Sequence, residues 1–268
     1  MKEKVYLKVY ENKNMVELTN IKNMEELTYK PTTPERERND IQTFSKHSQR
    51  RMKKYLNSLR VDTNTKMITL TQPPLNHTRE AYNKTMDVFF KRMVYYYEKS
   101  LFVWKFELQK NGSPHIHVLM FNKTNFNNKE WDDLLSKTKK AWFQSLKANI
   151  NMTYSEEQKF KKAGVRVETA RNKDVYNYIV KYISKEECYK ALNGINIGRY
   201  WGTRNKKVES LYLQDTEQFT IDKNYAVELL SYIDDEKKYY VVNTHGKFTF
   251  YNPDNIISEY IDEFRIFL

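Results

Sequence analysis

Cysteine is almost absent from this chain, and other scarcities narrow what the protein can be. Cys188 stands alone among 268 residues, which excludes an intrachain disulfide and a zinc site built from cysteines. No run resembles a membrane span, the first residues lack the apolar stretch of a signal peptide, and there is no G-x-x-x-x-G-K-[ST] loop. We therefore expect a cytoplasmic protein without membrane contact that does not itself carry a nucleotide-driven motor.

What the chain has in abundance is positive charge and aromatic side chains. The formal net charge is +12, and 21 tyrosines help to bring the aromatic fraction to 15%. This composition is globular, and the length suits one or two domains. A field of this sign favours a polyanion, so the composition suggests a nucleic-acid partner.

Residue periodicity predicts several strands and helices. Alternating patterns predict strands at 66–72, 101–109, 115–121, 164–170 and 197–203, the second and third forming an antiparallel hairpin. Helical spacing predicts helices at 43–60, 82–97, 131–146, 174–187 and 254–268. The apolar stripe of the last one predicts either packing on the body of the chain or a homo-oligomer.

Two of the five histidines lie in one apolar strand, in the sequence "HIHVLMF". His115 and His117 are two residues apart and project to the same side of the strand. Such a pair is expected by chance only about 0.1 times at this histidine content. The alternative is a pair of polar histidines on an exposed sheet face. The functional interpretation is that two imidazoles bind one cation.

A third ligand is expected on the partner strand. Closing the hairpin with a loop over 110–114 places Glu107 opposite His117 and Gln109 opposite His115. Two nitrogens and a carboxylate suit Mn²⁺ or Mg²⁺, and a catalytic Zn²⁺ site is chemically possible too. The ordinary alternative for Glu107 is an exposed strand glutamate.

The helix "DVYNYIVKYISKEE" carries two tyrosines one turn apart. Tyr178 and Tyr182 lie at one edge of its apolar stripe, with Lys181 and Lys185 just beyond them. A neighbouring ammonium helps a tyrosine, whose free pKa is near 10, to act as a nucleophile. The alternative is amphipathic packing with lysines extended to solvent, and the helix alone favours it.

Together, "MITLT", "HIH" with Glu107 before it, and "YIVKYISK" resemble in order the three motifs of HUH endonucleases. The resemblance covers about residues 43–205 and is closest to rolling-circle replication initiators of phages and plasmids. It implies an α+β fold with a central antiparallel sheet, flanking helices and an RRM-like core. We expect an N-terminal arm at 1–42, the catalytic domain at 43–205 and an accessory region at 206–268.

The resemblance also implies a reaction, in which a tyrosine nicks and rejoins single-stranded origin DNA through a 5′-phosphotyrosine. It makes His115, His117 and Glu107 the ligands of Mn²⁺ or Mg²⁺, with Glu168 as a rival third ligand. Tyr178 becomes the first nucleophile and Lys181 a phosphate-orienting residue. Tyr182 is a second nucleophile, or only packs, as in single-tyrosine relatives.

Basic residues outside the motifs are expected to contact the DNA. Six basic residues and no acid occur in 43–60, and nine basic residues against three acids occur between Arg171 and Lys207. Arg199, Tyr200, Trp201 and Arg204 mix cations with aromatic rings, as single-strand binding by stacking requires, although the two rings can equally belong to the core. The residues predicted to bind DNA are Arg50, Arg51, Lys53, Lys54, Lys185, Arg199 and Arg204.

Other functions remain compatible with the sequence. A relaxase or a single-strand transposase uses the same chemistry. A non-catalytic basic module would bind nucleic acid without cutting it, and a metal phosphohydrolase would cut without a covalent adduct. For an initiator, the missing nucleotide-binding loop implies a separate helicase, and the compartment is the host cytoplasm if a phage or plasmid encodes the protein.

Overall fold

The computed structural model describes residues 4–10, 15–20, 44–60, 64–73, 79–109, 113–169, 198–222, 226, 240–244 and 247–251. Within these ranges the chain forms ten strands and four α-helices, with a short 3₁₀-helix at Lys206–Leu211. The strands are β1 (Lys4–Tyr10), β2 (Met15–Asn20), β3 (Lys66–Thr71), β4 (Leu101–Leu108), β5 (Pro114–Phe121), β6 (Val165–Thr169), β7 (Trp201–Arg204), β8 (Thr216–Asp222), β9 (Tyr240–Thr244) and β10 (Lys247–Tyr251). The helices are α1 (Lys46–Asn57), α2 (Arg79–Tyr96), α3 (Asn128–Asn149) and α4 (Tyr154–Ala163). The expected α+β class is confirmed.

The chain divides into two compact units, each built on a five-stranded antiparallel sheet. One unit comprises Met1–Glu37, Lys54–Arg60 and Leu213–Leu268, and the other comprises Arg38–Lys53 and Val61–Tyr212. The first unit has the strand order β8-β1-β2-β10-β9. Strands from the two ends of the chain therefore share one sheet, a pairing that the local sequence pattern does not reveal.

The second unit contains the paired histidines and has the strand order β6-β3-β5-β4-β7. Its central strand, β5, pairs antiparallel with β3 on one side and β4 on the other. The expected hairpin between β4 and β5 is confirmed. Because β5 lies between two partners, side chains of both neighbours can reach the side chains of the histidine strand.

One face of this sheet is covered by α2 and α3. Phe90 of α2 packs against Phe102 of β4, with ring centres 6.0 Å apart, and Phe89 packs against Trp142 of α3 at 5.4 Å. The indole nitrogen of Trp142 donates to the backbone oxygen of Thr71, 2.9 Å away, which anchors α3 to β3. This aromatic core fixes the sheet, so that every second residue of each strand projects from the opposite face.

Helix capping explains where two of the helices begin. Asn127 caps α3 and Thr153 caps α4, each accepting from the backbone of a glutamate three residues later, Glu130 and Glu156. The helix α4 was not predicted, although its T-x-x-E start is a recognised signal. The other predicted strands and helices of the described residues are present, with ends shifted by a few residues.

Candidate metal and nicking site

The two histidines lie side by side on the sheet face opposite α2 and α3. His115 and His117 of β5 have ring centres 4.7 Å apart. His117 is only 6% exposed, whereas His115 is partly open to solvent. The alternation of the strand produces this arrangement, because Ile116 and Val118 are both completely buried, on the face that α2 and α3 cover.

Glu107 of β4 contacts His117, although the predicted register was wrong. The residue directly opposite Glu107 is His115, and Lys105 is opposite His117. The backbone nitrogen of Gln109 donates to the oxygen of Ser113, so the connecting loop is two residues shorter than assumed. Glu107 Oε2 nevertheless lies 3.2 Å from His117 Nε2, along the diagonal between neighbouring pairs.

Lys105 is a further buried charge on this face. Its Nζ lies 2.6 Å from Glu107 Oε1, and both residues are buried, at 3% and 6% exposure. Burial alone would raise the pKa of Glu107, but the hydrogen bond with His117 and the Lys105 ammonium outweigh it and lower that pKa. The carboxylate is therefore ionised at neutral pH, as a metal ligand must be.

The Nδ1 atom of His115 is held from both neighbouring strands. Thr71 Oγ1 of β3 lies 3.1 Å from it, and Gln109 Nε2 lies 2.9 Å from it. Burial, reinforced by the nearby His117, lowers the pKa of His115 to about 4, although Glu107 opposes this. His115 is consequently neutral near pH 7, with one ring nitrogen carrying a lone pair.

These donors fit a divalent cation in kind and in spacing. Two ligand atoms in cis positions of an octahedral ion, each about 2.1 Å from it, are about 3 Å apart. Two imidazoles bound in the same way have ring centres about 4.6 Å apart. The measured separations, 3.2 Å between His117 Nε2 and Glu107 Oε2 and 4.7 Å between the rings, are close to both values. In the part of the chain that the structure describes, however, no three His, Cys, Asp or Glu side chains already converge as a cage.

Glu168 is less well placed than Glu107 to share a cation with the histidines. It lies on β6, opposite Met67 of β3, so a whole strand separates it from β5. Its Oε1 lies 2.5 Å from Arg166 Nη2. The geometry therefore favours Glu107, which comes from a strand directly next to β5.

Comparison with known families decides which of the resemblances holds. Residues 65–187 match the family of replication-associated proteins of the ORF2 type. The match confirms the resemblance to rolling-circle initiators, and it supports a replication-associated protein that interacts with DNA. The matched segment begins just before β3 and contains both histidines and Glu107. No curated protein matches the chain.

The tyrosine helix belongs to the segment that matches this replication-associated family but lies outside the described residues. This applies to Tyr178, Lys181, Tyr182 and Lys185, and also to the last predicted helix, 254–268. Their roles stay predictions. Among the described helices, none has the length and apolar character needed to traverse a bilayer.

The four basic residues predicted to bind DNA on α1 lie in different surroundings. Arg51 is exposed, and Arg50 is partly exposed. Lys54 forms an ion pair with Glu17, a buried residue of β2. Burial lowers the pKa of Lys53 to about 8. The two arginines are therefore the best placed of the four to meet a phosphate.

The basic residues near β7 lie on different sides of the sheet. Arg204 is opposite Phe102, and its guanidinium lies 5.6 Å from the centre of the Phe90 ring, on the face that α2 covers. Arg204 therefore projects away from the histidines. Arg199 is exposed. Tyr200 is buried against Phe44, which favours core packing over base stacking.

Trp201, in contrast, lies on the face of the histidines, opposite Lys105. Its indole nitrogen donates to Ser48 Oγ, 3.0 Å away. The ring is partly exposed, so part of its surface is accessible to a stacking base.

Sequence analysis missed Lys105 and the threonines of β3 as members of the site. Lys105 alternates with Glu107 and Gln109 in "KFELQ", and the threonines alternate in "ITLT". The signal was present, because polar residues at every second position of a buried strand share one face. It was overlooked because only the histidines and the carboxylate were considered as ligands.

Proposed function

We propose that this replication-associated protein nicks and rejoins single-stranded origin DNA through a 5′-phosphotyrosine intermediate during rolling-circle replication. The proposal is supported most strongly by one combination. The segment that matches the replication-associated family also holds two histidines and an ionised carboxylate on adjacent strands. His115, His117 and Glu107 would hold Mn²⁺ or Mg²⁺, and the match over 65–187 favours an initiator over a relaxase or transposase.

In the proposed reaction, the hydroxyl oxygen of Tyr178 attacks the scissile phosphorus. The P–O bond to the 3′ oxygen breaks, the phenolic proton is lost to solvent or a nearby base, and the leaving oxygen takes up a proton as a 3′-hydroxyl. A bound divalent ion would polarise the phosphate. Lys181 would neutralise the phosphate oxygens. Rejoining reverses these steps, and Tyr182 would serve the second transfer.

The buried Lys105 has a distinct part in this proposal. It lies beside Glu107 and helps to keep that carboxylate ionised before a cation binds. Without this charge, a carboxylate so deeply buried would favour its protonated form, which is a poor ligand. Lys105 thus maintains the ligand set rather than touching the reacting atoms.

The proposed partners follow from the same reaction. The substrate is single-stranded DNA at an origin, gripped by Arg50, Arg51 and the basic residues near the tyrosine helix. A separate helicase would supply unwinding, since the chain has no P-loop sequence. A homo-oligomer through 254–268 stays part of the proposal.

A selection for covalent adducts tests the function and finds the origin sequence in the same experiment. The protein is incubated with a random single-stranded DNA library and Mn²⁺, denatured in detergent, and the DNA that stays attached to protein is sequenced. We expect one enriched sequence with Mn²⁺ and none with EDTA or with His117→Ala. Tyr95→Phe is a matched control, because Tyr95 is 83% exposed on α2, away from the histidine face.

The alternatives give different results in this assay. Tight, salt-sensitive binding without any adduct would support a non-catalytic nucleic-acid-binding module. Cleavage that leaves no protein on the DNA would support a metal phosphohydrolase. Adduct formation that is unaffected by EDTA would contradict the proposed metal dependence while keeping the tyrosine chemistry.

A further inference from the structure

The threonines of β3 stand directly behind the two histidines. Thr71 is opposite His115 and Thr69 is opposite His117 in the register of β3 with β5. The hydroxyl of Thr71 lies 3.1 Å from His115 Nδ1, and that of Thr69 lies 3.4 Å from His117 Nδ1. Each histidine is therefore contacted at the same ring nitrogen by the residue beside it on the next strand.

The position of these contacts determines which nitrogen can bind a cation. A neutral imidazole has one N–H and one lone pair, and only the nitrogen with the lone pair coordinates a metal. A metal-ligating histidine almost always donates its other N–H to a neighbouring oxygen, which fixes the tautomer and the orientation of the ring. Thr71 Oγ1 is such an oxygen for His115.

The rest of the surroundings of His115 agrees with this assignment. Gln109 lies at the same Nδ1, and a half-turn of its amide, which hardly changes its shape, presents Oε1 as a second acceptor. Among the described residues, none lies within hydrogen-bonding distance of His115 Nε2. The nitrogen that is held is thus Nδ1, and the nitrogen left for a ligand is Nε2.

We propose that Thr71 is a positioning residue for the cation: it accepts the Nδ1 proton of His115 and so presents Nε2 as the ligating atom. Thr69 acts in the same way on His117, more weakly because its contact is longer. This inference rests on the proposed metal site, but the tautomer of His115 is a property of the protein without metal and can be measured separately.

The test compares two substitutions at one position. Thr71→Val keeps the shape and removes the hydroxyl, whereas Thr71→Ser keeps the hydroxyl. Thr138→Val is the matched control, because Thr138 is a fully buried threonine of α3 whose hydroxyl has no hydrogen-bond partner among the described residues. Urea unfolding in EDTA establishes that each variant is folded before the other measurements.

Two readouts separate positioning from a merely structural role. Ring-nitrogen NMR of the metal-free protein, in which only five histidines contribute, should give the Nδ1–H tautomer of His115 in the wild type and in Thr71→Ser. Thr71→Val should shift it towards Nε2–H. Calorimetry should show Mn²⁺ binding about 10- to 100-fold weaker in Thr71→Val. Thr71→Ser and Thr138→Val should bind Mn²⁺ like the wild type.

The contradicting results are distinguishable from one another. An Nε2–H tautomer of His115 in the wild type, or unchanged Mn²⁺ affinity in Thr71→Val, would overturn the role of Thr71 alone. Absence of Mn²⁺ and Mg²⁺ binding by the wild type would overturn the metal site, and this inference with it.

Discussion

Replacing Glu107 by glutamine should destabilise the unit that contains the histidines, because it leaves the Lys105 ammonium buried beside a neutral amide. The two groups are 2.6 Å apart, and Lys105 is 3% exposed. Removing one partner of a buried ion pair costs about 3–5 kcal/mol. Glutamine keeps the shape and one acceptor, and Lys105 has other contacts, so we expect a loss of about 2–3 kcal/mol.

A double-mutant cycle isolates the interaction itself. Lys105→Met alone leaves the Glu107 carboxylate buried beside an apolar chain, and the double variant removes both charges. We expect a coupling free energy of at least about 1.5 kcal/mol, within the range for contacting residues. The exposed pair Lys137–Asp133 has the same 2.6 Å separation and should give less than about 0.5 kcal/mol.

Urea unfolding followed by tryptophan fluorescence in EDTA is the assay. It reports on the correct unit, since all four tryptophans lie within Arg38–Lys53 and Val61–Tyr212; they are Trp104, Trp131, Trp142 and Trp201. A coupling energy at the site no larger than that of the surface pair would refute the reasoning. Saturating Mn²⁺, at 100 times its Kd, should then stabilise the wild type by about 2.7 kcal/mol and Glu107→Gln by much less.

Three further predictions concern pH, DNA binding and the C-terminal helix. Burial holds the pKa of His115 near 4 in the folded protein against about 6.5 when unfolded, so the unfolded chain binds the extra proton. The free energy of unfolding in EDTA should therefore fall as the pH drops from about 6.5 to 4, and His115→Gln should flatten this fall. Replacing Arg50 and Arg51 by glutamine should weaken single-stranded DNA binding and reduce its salt dependence, whereas Arg204→Gln, on the other face of the sheet, should have a smaller effect. An unchanged salt slope in the double variant would return α1 to a solvated basic face. Ending the chain near Asn252 should alter the oligomeric state or the stability in sedimentation and unfolding measurements, and a stable, equally soluble monomer would contradict both roles of the stripe.

The sequence predicted the strands of the sheet that carries the histidines because each has a strong local pattern. It also predicted the face of the sheet that carries the site, even though the register of β4 with β5 was wrong. The error was two residues, and an even shift returns every side chain to the same face. An odd shift would have separated Glu107 from the histidines.

Long-range pairing was the part that local patterns could not supply. Strands β1 and β2 pair with β8 and β10, which lie about two hundred residues later in the chain. Alternation reveals a strand but not its partner, because backbone hydrogen bonds are the same for any two strands. For the same reason the opposite placement of Arg204 and Trp201 became clear only from the register of β7 with β4.

The central claim is that a tyrosine of this chain becomes linked to DNA, and mapping the linked residue tests it most directly. The adduct formed with the selected DNA and Mn²⁺ is digested with nuclease and protease, and the peptide with the remaining nucleotide is sequenced by mass spectrometry. We predict that it contains Tyr178, and that Tyr178→Phe binds the DNA normally but leaves it uncut. Tyr182→Phe should cleave once and fail at the second transfer. An adduct that maps to Tyr182 would reverse the order of the two residues, and an adduct that persists when both are phenylalanine would contradict the account.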